Sequence, residues 1–187
     1  PMVSQIEELL QAFELIKQAK QQLAEQGKKI GNVEYGIVVE TPAAVLALES
    51  MLPYLDFVSI GSNDLTQYTL AADRTNLKLA NLYPPLSPAV LTLISMTIEK
   101  CQRVKVKVCL CGELASNANV LPLLMGMGLN ELSINPASLL AVKARIVEGK
   151  YSAFYQHAQT VKQLISNAAI DEAIKTFNLN HKSRFDH

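Results

Sequence analysis

Apolar residues recur at Ile6, Leu9, Leu10, Phe13, Ile16, Ala19 and Leu23 with charged and amide side chains between them. That is the spacing of a helix burying one stripe. Ser4 and Glu7 form a capping-box pattern at its start, and Gly27 is placed to end it. The pattern then changes period. Tyr35 to Glu40 (YGIVVE), Phe57 to Gly61 (FVSIG), Val106 to Cys111 (VKVCLC) and Glu131 to Ile134 are short runs of strand composition. Between and after them the spacing predicts helices over Pro42 to Leu52, Leu65 to Ala71, Ser87 to about Cys101, and Leu121 to Met125. Ser87 is the N-cap of the third of these, with Pro88 at its first helical position, after a rigid Tyr83-Pro84-Pro85 loop. Beyond Asn135-Pro136 three more helices are expected, at Ala141 to Ile146, Ser152 to Ile165 and Asp171 to Phe177.

Strand and helix alternate, and three successive strands end in chemistry. Glu40 closes the first, Asn63 and Asp64 follow Gly61 at the end of the second, and Cys111 closes the third. Only parallel strands joined by crossover helices deliver all of these to one rim, because antiparallel neighbours send alternate ends to opposite rims. The C-terminal rim is where α/β proteins build their sites. Arg74 follows one short segment later, so an acid, an amide and a guanidinium converge on a candidate site for an anionic, metal-bound ligand. The plainer alternative is a capped turn, with Asn63 or Asp64 as N-cap and Arg74 in a surface pair. The fold class is α/β: four strands with crossover helices make half of an eight-stranded barrel, followed by C-terminal helices. A small doubly wound sheet is the alternative, but no strand-to-helix turn has the Gly-x-Gly-x-x-Gly pattern of a dinucleotide site. Gly126-Met127-Gly128 comes closest, and it precedes a strand.

Composition narrows the partners. The chain has 187 residues, 49% hydrophobic and 18% charged, enough for one substantial core and a single domain over 1–187. Seventeen basic side chains balance seventeen acidic ones, which argues against a nucleic-acid stripe or a polybasic membrane patch. No apolar run approaches the roughly 20 residues of a membrane-spanning helix. The start lacks the form of a signal peptide, and the expected location is cytoplasmic. Cys101, Cys109 and Cys111 fit reduced thiols and have no fourth ligand at a zinc-like spacing. His157, His181 and His187 all fall in the last quarter, where solvated positions are expected.

Five stretches carry a family resemblance: GIVVETPAA (Gly36 to Ala44), SIGSNDLTQYTLAADR (Ser59 to Arg74), the Tyr-Pro-Pro-Leu-Ser-Pro segment from Tyr83, CGELA (Cys111 to Ala115) and LLMGMGLNELSINPASL (Leu123 to Leu139). They resemble the phosphoenolpyruvate-binding barrel of phosphoenolpyruvate-protein phosphotransferases, enzyme I of the bacterial sugar phosphotransferase system. The similarity is nearly continuous from Pro1 to about Ile146. Leu110 to Glu113 and Asn135 to Ser138 are also similar to the nitrogen-related branch. Pyruvate phosphate dikinase and phosphoenolpyruvate synthase share the Asn-Asp-Leu-Thr-Gln core, whereas Thr41-Pro42 and Tyr68 to Ala71 favour the protein phosphotransferases.

The resemblance implies that Glu40 and Asp64 bind Mg2+, that Asn63, Asp64 and Arg74 hold phosphoenolpyruvate, and that Cys111 protonates carbon. Mg2+ takes hard oxygen ligands and is commonly held by one or two carboxylates plus substrate oxygens. A positioned thiol can act as general acid to an enolate, helped by an apolar setting that keeps it protonated. The structural alternative for Cys111 is a small buried core residue.

In the family the phosphoryl acceptor is a histidine on a separate N-terminal domain, and further arginines sit on the first half of the barrel. Pro1-Met2 resembles the point after the fourth barrel strand, so the expectation is the second half of a barrel: about four βα units over 1–147 and a helical extension over 148–187. Alone it is expected to be inactive. Expected partners are phosphoenolpyruvate and pyruvate, a histidine-containing phosphocarrier protein and a second copy in a homodimer, without nucleic acid or membrane insertion. The competing expectation is a dimerisation module without catalysis.

Overall fold

The structure, a computed structural model, describes residues 1–73 and 84–181. Helix α1 spans Ile6–Glu25. Its capping box sits one residue later than the Ser4–Glu7 pattern suggests: Glu8 accepts from the backbone N–H groups of Ser4 (2.7 Å) and Gln5 (3.0 Å). Because Gln5 is the N-cap, the third helical position, the only one from which a carboxylate reaches back, is Glu8. Gly27, at φ +70°, lies just past the other end.

Strand β1 (Gly36–Val39) leads through Thr41 into α2 (Pro42–Met51). The Thr41 hydroxyl accepts from Ala44 N–H at 3.1 Å, and Pro42 fills the first helical position, where no N–H is needed. β2 (Phe57–Gly61) passes straight into α3 (Ser62–Leu70), which ends at Ala71 in the left-handed region. α4 (Pro88–Val104) is capped by Ser87 as its sequence predicts and runs three residues past Cys101, stopping at left-handed Lys105. β3 (Lys107–Cys111), α5 (Leu121–Gly126) and β4 (Glu131–Leu132) follow. β4 is two residues shorter than the apolar run from which it was expected. α6 (Leu139–Glu148), α7 (Tyr151–Val161) and α8 (Asn167–Asn180) complete the described chain. α8 starts four residues before Asp171 because the Ser166 hydroxyl caps it, accepting from Ala169 N–H.

The four strands form one parallel sheet in the order β1-β2-β3-β4. Every crossover leads to the adjacent strand, with no reversal of direction across the sheet. Such one-directional winding is consistent with part of a barrel, whereas a doubly wound sheet reverses its strand order. Register puts Ile37, Val58 and Val108 in one row and Val39, Ile60 and Leu110 in another. All six are buried. They join Leu48 and Met51 of α2, Ile94 and Ile98 of α4, and Leu123 and Leu124 of α5 in the core. Each such side chain contributes about 1.5–3 kcal/mol relative to leaving it exposed.

The C-terminal helices enter the same core through Ala158, Val161, Ile170 and Ile174. A side chain at Gly126 would overlap the Phe154 carbonyl, so α5 and α7 approach backbone to backbone there. His157 differs from its expected solvated position. It is 8% exposed, and its ring stacks on Phe177 at 4.2 Å. Burial, with His181 and Arg145 nearby, pushes its pKa down to about 4. His181 is exposed as expected, and His187 lies outside the described residues. No helix among the described residues is long and apolar enough to cross a membrane.

Candidate active site

The second face of the sheet ends in the rim. Val38, Ser59 and Cys109 share a row there, and one step further Gly61 is in register with Cys111. Glu40 is the residue after β1, so the two-residue period of the strand returns its side chain to the face of Val38. It leans across β2. A Cβ added to Gly61 would lie 2.7 Å from Glu40 Cγ and 3.0 Å from its Oε1. Gly61 thus supplies the room that the carboxylate occupies. The other carboxylate oxygen accepts from the Met2 backbone N–H at 2.8 Å, and Ser4 and Thr41 hydroxyls pair at 2.8 Å, laying the first residues along this end of β1.

Cys111 is half-buried on the same face. Its thiol donates to the Ile60 carbonyl at 3.4 Å and accepts from Ser59 Oγ at 3.5 Å. This setting differs from that of Cys101, which is wholly buried in α4 and whose pKa desolvation pushes up to about 11. Directly after Cys111 the chain turns at Gly112, φ +95°.

α3 delivers the amide and the second acid. Gly61 is its N-cap, so Asn63 and Asp64 lie in its first turn and neither serves as the cap of the plainer reading. Asp64 there is favoured by the helix dipole, by about 0.3–1 kcal/mol. Asn63 Oδ1 accepts from Glu113 N–H at 3.2 Å, joining the start of α3 to the turn after β3. Arg74 lies outside the described residues.

An open cleft of about 690 Å³ sits over this rim, lined by Asn63, Cys111, Gly112, Ser116, Ser133 and Asn135 among others. The structure therefore brings Asn63 and Cys111 to one cleft and places Glu40 on the face and row of Cys111. Glu40 and Asp64 do not line the cleft wall itself. Ser59, Ser62, Ser116, Ser133 and Asn135 were not anticipated as site residues. Strand alternation held the signal for Ser59, because its position two residues before Gly61 puts it on the Cys111 face. Among the described residues no three His, Cys, Asp or Glu side chains gather as a ready-made metal cage. One strand-end carboxylate, Glu40, and one in the first turn of α3, Asp64, suit a cation that takes its other oxygens from substrate and water.

A singly wound parallel sheet with an acid, an amide and a thiol at its C-terminal edge is the arrangement on which α/β proteins build their sites. Residues 1–151 match the PEP-binding domain of PEP-utilising enzymes, and the chain belongs to that family. It is 41% identical over 179 residues to the phosphoenolpyruvate-protein phosphotransferase of Cupriavidus necator, covering 95% of this chain and 28% of that protein. It is 38% identical to the phosphoenolpyruvate-protein phosphotransferase of Mycoplasma pneumoniae, covering 95% and 30%. It is also 41% identical over 149 residues to multiphosphoryl transfer protein 2 of Escherichia coli, covering 79% of this chain and 18% of that protein. The chain spans less than a third of the length of these relatives.

Proposed function

We propose that this chain holds the phosphoenolpyruvate site of a phosphoenolpyruvate-protein phosphotransferase. That cytoplasmic enzyme moves the phosphoryl group to a histidine on another domain, then to a histidine-containing phosphocarrier protein, and releases pyruvate. The observation that carries the reading is the clustering of Glu40, Asn63 and Cys111 at adjacent strand ends, with Asp64 beside Asn63, in a chain matching the PEP-binding family from residue 1 to 151.

Each residue type has work suited to it. Glu40 and Asp64 would hold Mg2+, whose charge, once bound, offsets the negative oxygens of substrate and enolate. Asn63, with Arg74, holds the substrate anion; a guanidinium fork suits phosphate or carboxylate. When the bond between phosphorus and the enol oxygen breaks, the phosphoryl group passes to a histidine nitrogen and the enolate of pyruvate is left. Cys111 gives its thiol proton to carbon 3 of that enolate, forming the carbon–hydrogen bond of pyruvate, and water returns a proton to the thiolate. The hydrogen bonds of the thiol to Ile60 and Ser59 hold it on the cleft side of β3 for that step.

A second reading rests on α6 and α7, where Leu140 and Val147 are 79% and 73% exposed and Tyr151 and Tyr155 are also open. These are helical neighbours suited to pairing with a second copy, so the chain also serves as a homodimerising element. Melting the protein with and without Mg2+ and phosphoenolpyruvate separates the two. A working site raises the melting temperature with ligand concentration, while an association module alone responds only to protein concentration.

A further inference from the structure

Ser62 is almost completely buried, at 1% exposure, where a serine has no packing reason to be preferred over alanine. Its hydroxyl donates to the backbone carbonyl of Cys111 at 2.8 Å. The contact lies one step past the last register pair, Gly61 with Cys111, where β2 has become α3 and no further ladder bond from β2 is available. Gly112 completes it from the other side. At φ +95° that residue occupies backbone space that side chains rarely adopt, and a Cβ there would lie 2.5 Å from Ser62 Oγ and 3.1 Å from Asn63 Oδ1. The missing side chain at 112 and the hydroxyl at 62 are therefore one arrangement.

We infer that Ser62 is a positioning residue, which fixes the main chain of Cys111 relative to Asn63 and Asp64 and thereby sets where the thiol stands against the bound substrate. The inference rests on the phosphoenolpyruvate reading for its functional meaning, but the geometry it describes is independent of the ligand. The Ser62 bond and the Asn63–Glu113 bond pin α3 to the end of β3 at two successive points. The first holds the residue that donates the proton and the second the residue that holds the substrate. A shift of α3 by about 1 Å would separate these two functions while leaving the core intact, and a misplacement of that size is enough to slow an oriented reaction strongly.

The test uses the three thiols as reporters. The wild-type chain, Ser62→Ala and Ser62→Thr are alkylated with iodoacetamide, and the rate at each cysteine is followed by peptide mass spectrometry. Ser62→Ala should raise the rate at Cys111 several-fold by loosening its grip on Ile60, leave Cys109 on the same face of β3 unchanged, and leave buried Cys101 unreactive. Ser62→Thr, which keeps the hydroxyl, should restore the wild-type rate. Gly112→Ala attacks the same contact from the other side and should reproduce the selective change, which keeps the comparison available if Ser62→Ala no longer melts cooperatively. An unchanged Cys111 rate in both variants, or a parallel rise at Cys109, would overturn the assignment. Protection of wild-type Cys111 by Mg2+ with phosphoenolpyruvate is measured separately: its absence counts against the substrate reading and leaves the Ser62 result standing.

Discussion

The hydroxyl of Ser59 on β2 donates to the thiol of Cys111 on β3 at 3.5 Å, and the thiol in turn donates to the Ile60 carbonyl at 3.4 Å. Among the described residues Cys111 is the cysteine on the cleft wall, and its neighbouring strand orients it, whereas Cys101 is buried in the core. This contrast underlies the first prediction. In an enzyme carrying the complete reaction, Cys111→Ala should leave phosphoenolpyruvate binding near normal and block pyruvate formation, measured by pyruvate release against ligand titration. Substituting Cys101 or Cys109 should change melting more than turnover. Joint loss of binding and folding in Cys111→Ala would favour the buried-core alternative.

Gly61→Ala should act on Glu40. The new methyl carbon would sit 2.7 Å from Glu40 Cγ and 3.1 Å from Val38 Cγ1, so the carboxylate must swing away. Overpacking of this kind costs about 1–3 kcal/mol. The variant should fold, melt lower, and lose the Mg2+-dependent part of any stabilisation by phosphoenolpyruvate. A full Mg2+ response in Gly61→Ala would remove Glu40 from the metal role.

Which parts of this were readable beforehand follows from how local each signal is. The apolar runs ending at Glu40, Gly61 and Cys111 were legible because a buried strand and its flanking turn lie within about six residues. The helix starts at Pro42 and at Ser87-Pro88 were legible for the same reason. The solvated position expected for His157 rests on its place late in the sequence, whereas Phe154, His157, Ala158 and Val161 share a helical spacing and are all buried in α7. Ser4–Glu7 and Gln5–Glu8 offer the same spacing one residue apart, and only the observed helix start separates them. The role of Ser62 was invisible because it depends on the register of β2 with β3 and on the backbone angle of Gly112.

His157 predicts an acid limb of stability. Its pKa lies at about 4 in the folded chain against an ordinary 6.5, so the fold favours the neutral ring. Between those values the unfolded chain binds more protons, and stability falls as pH falls. The contribution should be fully present above pH 6.5, decline through the window and level off below 4. Burial is the main cause, and the charges of His181 and Arg145, which both lie against the Phe177 ring, also oppose protonation of His157. His157→Gln should flatten the difference in melting temperature between pH 7 and pH 4.5, after subtraction of the common carboxylate effect. An unaltered slope would contradict the buried neutral assignment.

Arg145 predicts a link between the last helix and the loop beside the cleft. It is 7% exposed, its guanidinium donates to the His181 carbonyl and to Asn178 Oδ1, and the Asn178 amide donates to the Asn119 carbonyl at 3.0 Å. Arg145→Leu should destabilise by about 1–3 kcal/mol through the lost hydrogen bonds. It should also speed amide exchange in α8 and around Asn119 more than in the sheet. Uniform exchange across the chain would show that the arginine does not couple them.

Glu40 at the end of β1 and Asp64 in the first turn of α3 should together make phosphoenolpyruvate binding depend on Mg2+, which calorimetric titration measures. The chain is titrated with phosphoenolpyruvate in the presence and absence of Mg2+, alongside Asp64→Asn and Glu40→Gln. Binding should be saturable, require Mg2+ and be lost in both variants, with affinity well below that of a complete phosphotransferase. Binding that is indifferent to Mg2+ and to both substitutions, or no saturable binding at millimolar ligand with Mg2+ present, would contradict these roles of Glu40 and Asp64.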